Sequence, residues 1–445
     1  MSLSTGSIAL SAIAGSSLAA SYGVWRRYVL LGHPGFKFRM SRAARALLDV
    51  AVLTAASVGT AALALSQPRL LLTVLSTLLS PAARYGVRYG SHPRQTLDIH
   101  SAMSGGTAAA ALLHPLPAQR SDTSPSSMQR PLVVFVHGGA WAFGESWQYA
   151  AVCRKTAQLG VVAASVSYRL YPHGDAQDMA DDVILALQYL ILNAQQLGID
   201  PARITLVGHS AGAHLVCMAQ LRLATAAAGQ NTAAMGTAAS TASWFAADRI
   251  PPRGSVHAPV PVSAEMARRI LRGITGAILK SGVYDIARHY EWESRRSMAD
   301  VSWLGPMDPA CGGPTGANAH SPALQLADMP PAAVALLPPQ VVYHSPWDET
   351  VPFDTAVQLG HALARAGAPR FHLVTPTHGH FEGHGDVMIA LMGGNPDAKH
   401  SPTYGAELSK AYLRLISQVM AGEVPAGTVQ PLPQHQRIHS EARLM

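Results

Sequence analysis

An α/β fold, built on a mostly parallel sheet with helices on both faces, follows from three features of this 445-residue chain. Short uninterrupted apolar runs recur along it. Amphipathic stretches of helical period separate them, and turn residues such as Asp200-Pro201 mark the joins. Uninterrupted apolar runs suit strands buried on both faces, and strands alternating with helices form parallel βαβ units. The length accommodates one large domain of about 250 to 300 residues with appendages.

The N-terminal region, residues 1–84, reads as a membrane anchor. Composition is 48% hydrophobic and only 13% charged. Residues 46–66 are small or aliphatic after Asp49, and 21 residues of helix cross about 30 Å of hydrocarbon. Residues 8–24 form a weaker apolar segment, and residues 70–79 are too short to span. The basic residues follow the first apolar run, the reverse of a signal peptide. Residues 1–90 carry nine Lys or Arg against Asp49, a local charge of +8, so the other 355 residues hold −1 of the total +7. The excess flanks apolar segments, which fits a membrane surface and argues against nucleic acid as a partner.

The catalytic domain spans residues 85–422. Strands are expected at Leu132–Val136, Val161–Ser167, Ile204–Val207, Ala277–Lys280, Gln340–Tyr343 and Phe371–Thr375. Helices are expected at about 147–159, 178–197, 211–222, 354–367 and 405–420. Residues 101–130 and 223–262, rich in Ala, Ser, Pro and Gly, read as low-complexity insertions, and 423–445 as a polar tail. Cys153, Cys217 and Cys311 form neither a zinc pattern nor a disulfide framework, so reduced buried thiols are expected.

The chemistry begins at Gly208-His209-Ser210-Ala211-Gly212, a G-x-S-x-G between the apolar run ITLV and the helix-like AHLVCMAQL. Strand, tight turn and helix are the context of a nucleophile elbow. The sharp turn admits only small flanking residues and lifts the serine clear of the sheet. A bare glycine-rich turn is the alternative, and this context disfavours it. Upstream, His137-Gly138-Gly139-Ala140-Trp141 follows a strand end. Gly138, Gly139 and Ala211 are the expected oxyanion donors through their backbone N–H groups. His137 is expected to shape the loop and Trp141 to pack.

The domain is thereby expected to be an α/β-hydrolase, in which the acid and then the base follow the nucleophile in the chain. Asp348, a few residues beyond Gln340–Tyr343, is the expected acid, with Glu349 as the neighbouring alternative. The base follows Phe371–Thr375, where Thr377-His378-Gly379-His380-Phe381-Glu382-Gly383-His384 offers three histidines. His378 is preferred, His380 is the alternative and His384 stands third. No carboxylate framework makes these histidines a metal site, and no cofactor is expected.

These residues resemble the isoprenylcysteine alpha-carbonyl methylesterase family over residues 85–400. The likeness is carried by Tyr89-Gly90, Leu97-Asp98, Gly138-Gly139-Ala140-Trp141, Tyr168-Arg169 and Pro172. It continues through Asp178-Met179, Asp200-Pro201, Arg203-Ile204, Ser210-Ala211-Gly212-Ala213-His214, Leu337-Pro338-Pro339, Thr377-His378 and Gly393-Gly394. The resemblance favours His378 as base. It implies a membrane-bound serine esterase of the endoplasmic reticulum or Golgi, acting on methyl esters of lipid-modified cysteine. His137 and His209 depart from the family's usual Thr and Gln, and Ser345-Pro346-Trp347 replaces a Gly-containing turn. The two histidines lean toward general carboxylesterases and arylformamidases, the second functional expectation. A non-catalytic hydrolase-like scaffold is the third.

Overall fold

The computed structural model describes residues 76–101, 129–171, 173–229, 262–295, 310–312, 316–348, 350–375, 382–396, 401 and 403–423. The apolar segments 8–24 and 46–66, residues 70–75 of the third, and the tail from 424 lie outside these. So do most of the 101–130 stretch, residues 230–261, and the candidates Glu349, His378 and His380.

Eight strands form one sheet: β1 (Ala83–Arg88), β2 (Thr96–Ser101), β3 (Arg130–Val136), β4 (Val162–Ser167), β5 (Ile199–His209), β6 (Ile274–Lys280), β7 (Gln340–Tyr343) and β8 (Phe371–Val374). Their order is β1-β2-β4-β3-β5-β6-β7-β8. β1 and β2 run antiparallel, as do β2 and β4, and every pairing from β4 to β8 is parallel. The helices between are α1 (Ala150–Ala157), α2 (Ala176–Leu192), α3 (Ala211–Ala227), α4 (Ala264–Gly273), α5 (Ile286–Arg295), α6 (Asp354–Ala366), α7 (Asp386–Leu391) and α8 (Tyr404–Met420).

Pleating sends alternate side chains to opposite faces of the sheet. Leu132, Val134 and Val136 of β3 join a core with α2, α3, α4 and α6. Val133 and Phe135 join a second core with α1, α7 and α8. Each fully buried Val or Leu contributes about 1.5–3 kcal/mol of transfer free energy. That double burial is why β3 reads as a continuous apolar run.

All seventeen residues of α3 are buried, so the helix lacks a polar stripe. It runs on to Ala227, and residues 223–227 of the stretch read as an insertion are its last turn. Alanine-rich composition hid it: alanine is the best helix former, and a helix apolar all round shows no periodicity.

Several family-like residues hold the frame together. Arg169 donates to Asp182 (2.7 Å) and Asp178 (3.3 Å), while Gln95 donates to Asp182 (2.7 Å). A Cβ at Gly90 would stand 2.1 Å from Gln95 Oε1, so a larger residue there would have to displace the Gln95 side chain. The Tyr89 hydroxyl donates to the Ser167 carbonyl (2.7 Å).

The registers bring the C-terminal strand ends to one rim. Val136 pairs with Gly208, His209 with Lys280, Lys280 with Tyr343 and Tyr343 with Val374. Open parallel sheets place their chemistry at such a rim.

Candidate active site

Ser210 occupies the single residue between β5 and α3, at φ 55° and ψ −125°. A non-glycine residue at positive φ is strained by about 1–3 kcal/mol, and such strain persists only where surrounding structure enforces it. Here the Ser210 N–H donates to the Lys280 carbonyl (2.9 Å), and the Ser210 carbonyl accepts from Ala213 (2.9 Å) and His214 (3.2 Å). A Cβ at Gly208 would lie 2.5 Å from Ala213 Cα, and one at Gly212 would lie 2.1 Å from the Val136 carbonyl oxygen. The two glycines therefore let α3 and β3 close on the elbow. Ala211 is the first residue of α3, so its N–H has no intrahelical acceptor and stands at the positive end of the helix.

The glycine loop packs directly on the serine. A Cβ at Gly138 would be 2.8 Å from Ser210 Cβ, and one at Gly139, whose φ is 127°, would be 2.3 Å from the Phe143 carbonyl oxygen. Ala140 and Trp141 also take positive φ, 48° and 59°. Of the three expected oxyanion donors, Gly138 has its N–H turned to the Tyr149 hydroxyl (3.3 Å).

His137 is buried and stacked on Tyr168 at 4.4 Å between ring centres. Its Nδ1 donates to the Gly138 carbonyl (2.8 Å), and burial pushes its pKa down to about 4. Trp141, also buried, donates through Nε1 to His214 Nδ1 (3.1 Å), whose Nε2 donates to the His320 carbonyl (2.7 Å).

Asp348 sits in the turn after β7. Its Oδ1 accepts the N–H groups of Thr350 (3.0 Å) and Val351 (2.9 Å). His384 Nδ1 lies 2.9 Å from Oδ2 and 3.1 Å from Oδ1. His344 Nε2 stands farther off, 3.6 Å from Oδ2, and donates to the Val351 carbonyl at 3.0 Å. Burial opposes ionisation of Asp348, but His384, then His344 and Lys280, outweigh it and hold the carboxyl far below the usual range. The histidine that meets the acid among the described residues is therefore the one ranked third from sequence.

His384 is held from its surroundings as well. Its backbone carbonyl accepts from His209 Nε2 (3.1 Å), and the His209 and His384 rings lie 4.9 Å apart. His209 immediately precedes Ser210, so His384 stands beside the elbow. Two residues earlier, Glu382 is buried against Lys280 Nζ (3.1 Å) and accepts the Tyr343 hydroxyl (2.9 Å). Asp386 accepts from the Gly383 N–H (2.8 Å) and opens α7.

Comparison with known proteins gives a crystal structure of Esterase B from Lactobacillus Rhamnosis (HN001), which superposes with a TM-score of 0.52 at 16% identity. The alignment covers 90% of this chain and 99% of that one. The fold is that of the α/β-hydrolases. The BD-FAE family matches residues 122–245 of this chain, which contain both the glycine loop and the elbow. Its sequence is similar to a probable isoprenylcysteine alpha-carbonyl methylesterase of Oryza sativa subsp. japonica, 26% identical over 63% of this chain and 53% of that protein. It is similar also to the isoprenylcysteine alpha-carbonyl methylesterase of Arabidopsis thaliana, 25% identical over 68% of this chain and 58% of that protein. The chain thus spans little more than half the length of these relatives.

Among the described residues, no group of three or more His, Cys, Asp or Glu is placed to hold a metal ion, and no helix is long and apolar enough to cross a membrane. Sequence reasoning missed Tyr149, Lys280 and Glu382. An available signal was the pair Lys280 and Glu382, single charges set at an apolar strand end and in a glycine-rich loop. Charges seldom sit buried unless they are paired.

Proposed function

We propose that this α/β-hydrolase is a serine esterase with Ser210 as nucleophile, Asp348 as acid and His384 as base. The observation that carries the reading is the bond from His384 Nδ1 to the Asp348 carboxylate (2.9 Å) beside a strained elbow. With Nδ1–H given to Asp348, the Nε2 lone pair is left to take the proton of Ser210 as Ser210 attacks an ester carbonyl. The N–H groups of Gly139 and Ala211 stabilise the oxyanion, since that of Gly138 is engaged by Tyr149. The alcohol leaves with the proton from His384, and water, deprotonated by the same imidazole, hydrolyses the acyl-enzyme.

The substrate we favour is the methyl ester of an isoprenylated cysteine, which releases methanol. The similarity to the methylesterases supports it. The apolar segment 46–66 supports a membrane anchor, and with it a location on the endoplasmic reticulum or Golgi, where a lipidated substrate resides. A general carboxylesterase or arylformamidase-like activity is the second reading, favoured by His137 and His209 at the site itself.

Turnover of prenylcysteine methyl ester, p-nitrophenyl butyrate and N-formylkynurenine by detergent-solubilised protein and its S210A variant separates the readings. Loss of all turnover in S210A supports the nucleophile, and retained turnover overturns it. A preference for the latter two substrates overturns the methylesterase reading. Absence of fluorophosphonate labelling would identify a non-catalytic scaffold. Labelling of H384A beside H378A and H380A tests the base, and labelling retained in H384A would refute the assignment. Release of the full chain by alkaline carbonate would count against the anchor.

A further inference from the structure

Three hydrogen bonds link the glycine loop, the elbow and the base segment through a side chain on each of two elements. Gly138 N–H donates to the Tyr149 oxygen (3.3 Å), Tyr149 Oη lies 3.1 Å from His209 Nδ1, and His209 Nε2 lies 3.1 Å from the His384 carbonyl. Their directions are set by chemistry. A carbonyl only accepts, so His209 carries its hydrogen on Nε2. A neutral imidazole has one N–H, so Nδ1 accepts and the Tyr149 hydroxyl donates to it. The phenol oxygen then accepts from Gly138. Burial, followed by the neighbouring His384 and Lys280, holds His209 in the neutral form that this pattern requires.

We propose that His209 and Tyr149 are positioning residues that set the base: His209 holds the His384 backbone while Asp348 holds its ring, and Tyr149 locks the tautomer of His209 and ties it to the glycine loop. The inference rests on the reading of His384 as base. Among the described residues, the last β8 pair is Tyr343 with Val374, ten positions before His384. Asp348 fixes one ring nitrogen, and Glu382 and Gly383 hold the chain just before His384, whereas the carbonyl bond from His209 fixes the backbone of His384 itself. His209 is well placed for this, because it is the last residue of β5 and is paired to Lys280 in the sheet. Its own position is therefore as rigid as the elbow. Tyr149 couples the oxyanion loop to the base in the same geometry, so a displacement of either reaches the other.

The test is kinetic, on the full chain with p-nitrophenyl butyrate, with fluorophosphonate labelling rate and thermal melting measured alongside. H209L removes both bonds, while H209Q keeps an amide that reaches the His384 carbonyl and an oxygen that accepts from Tyr149. H209L is expected to lower kcat and the labelling rate about 10- to 100-fold with KM within about twofold, the scale of a misplaced catalytic group. H209Q is expected to recover most of that loss. Y149F is expected to lower kcat in the wild-type background and to add nothing in H209L, because both changes break one chain. Wild-type kcat in H209L, or equal losses from Y149F in both backgrounds, would overturn the proposal. If H209L does not fold, H209N takes its place; its side chain stops at the Nδ1 position, and recovery as full as that of H209Q would overturn the proposal. H384A in the same assay separates the two readings. An active H384A removes the base assignment, whereas an inactive H384A beside a fully active H209L removes only the positioning role.

Discussion

Lys280 Nζ lies 3.1 Å from Glu382 Oε1 with both side chains shut away from water, and this ion pair ties the end of β6 to the segment that carries His384. Tyr343 completes the arrangement, donating to Glu382 and placing its ring 5.3 Å below the ammonium. Breaking a buried pair leaves an uncompensated charge in a low-dielectric interior, at a cost of about 3–5 kcal/mol. E382A and K280A are each expected to lower stability by that order in chemical denaturation. K280M/E382L, which removes both charges, is expected to restore much of it. Equal destabilisation of the double variant would show that the pair does not act as a unit.

The elbow stores strain that glycine would release. S210G is expected to lose fluorophosphonate labelling and to gain about 1 kcal/mol of stability over S210A, as relief at positive φ exceeds the added chain entropy. Denaturant melts of the two variants check this. A less stable S210G would show that the elbow is unstrained.

The close approaches in the glycine loop and at the elbow leave no room for a methyl group. G139A places a Cβ 2.3 Å from the Phe143 carbonyl at a φ of 127°, and G212A places one 2.1 Å from the Val136 carbonyl. Both contacts are with backbone, which cannot rotate away. G139A is expected to lower kcat about 100-fold or more through a displaced oxyanion donor. G212A is expected to melt at lower temperature as α3 separates from β3. Normal values for either would contradict the packing.

Acid should destabilise the protein well above the range of ordinary carboxylates. Burial lowers the pKa of His100, His137 and His344 to about 4, and of His214 to about 3. Unfolded histidines titrate near about 6.5, so between these values the unfolded chain binds more protons and stability rises with pH. The contribution is complete above about pH 6.5 and is lost as pH falls toward 4. Asp348 adds a second loss lower down: its carboxyl is held below its unfolded value, so its contribution is full above about pH 4 and fades beneath it. Melting temperature measured from pH 7 to pH 4 is expected to fall throughout. H100Q, which removes one buried imidazole, should make the slope shallower.

In the proposed triad, Asp348 also governs which tautomer of His384 is present. D348N is expected to remain folded while kcat falls by about 10⁴, the scale found when an amide favours the wrong tautomer. Activity near wild type would show that another group orients the base.

Much of this protein is local in origin and therefore legible in its sequence. Apolar runs such as ITLV demand burial on both faces, and Gly208 and Gly212 around Ser210 declare a turn too tight for side chains. The turn at Asp348 follows a strand whose end is plain from composition. Recognition of the α/β-hydrolase fold needed only these patterns and their order. The contact of His384 with Asp348 is a different matter. His378, His380 and His384 lie within seven residues of one another, and no local property ranks them by distance to an acid thirty or more positions away. Contact with Asp348 depends on the path of the chain after β8. That path is anchored by Glu382 on Lys280 and by the His384 carbonyl on His209, from strands more than a hundred residues upstream. Tyr149 and the closing turn of α3 were hidden for reasons of their own. One acts through partners distant in sequence, and the other is buried on every side and leaves no pattern to read. Small residues and apolar runs announce the elbow and the sheet, whereas bonds between residues far apart in sequence set His384 on Asp348.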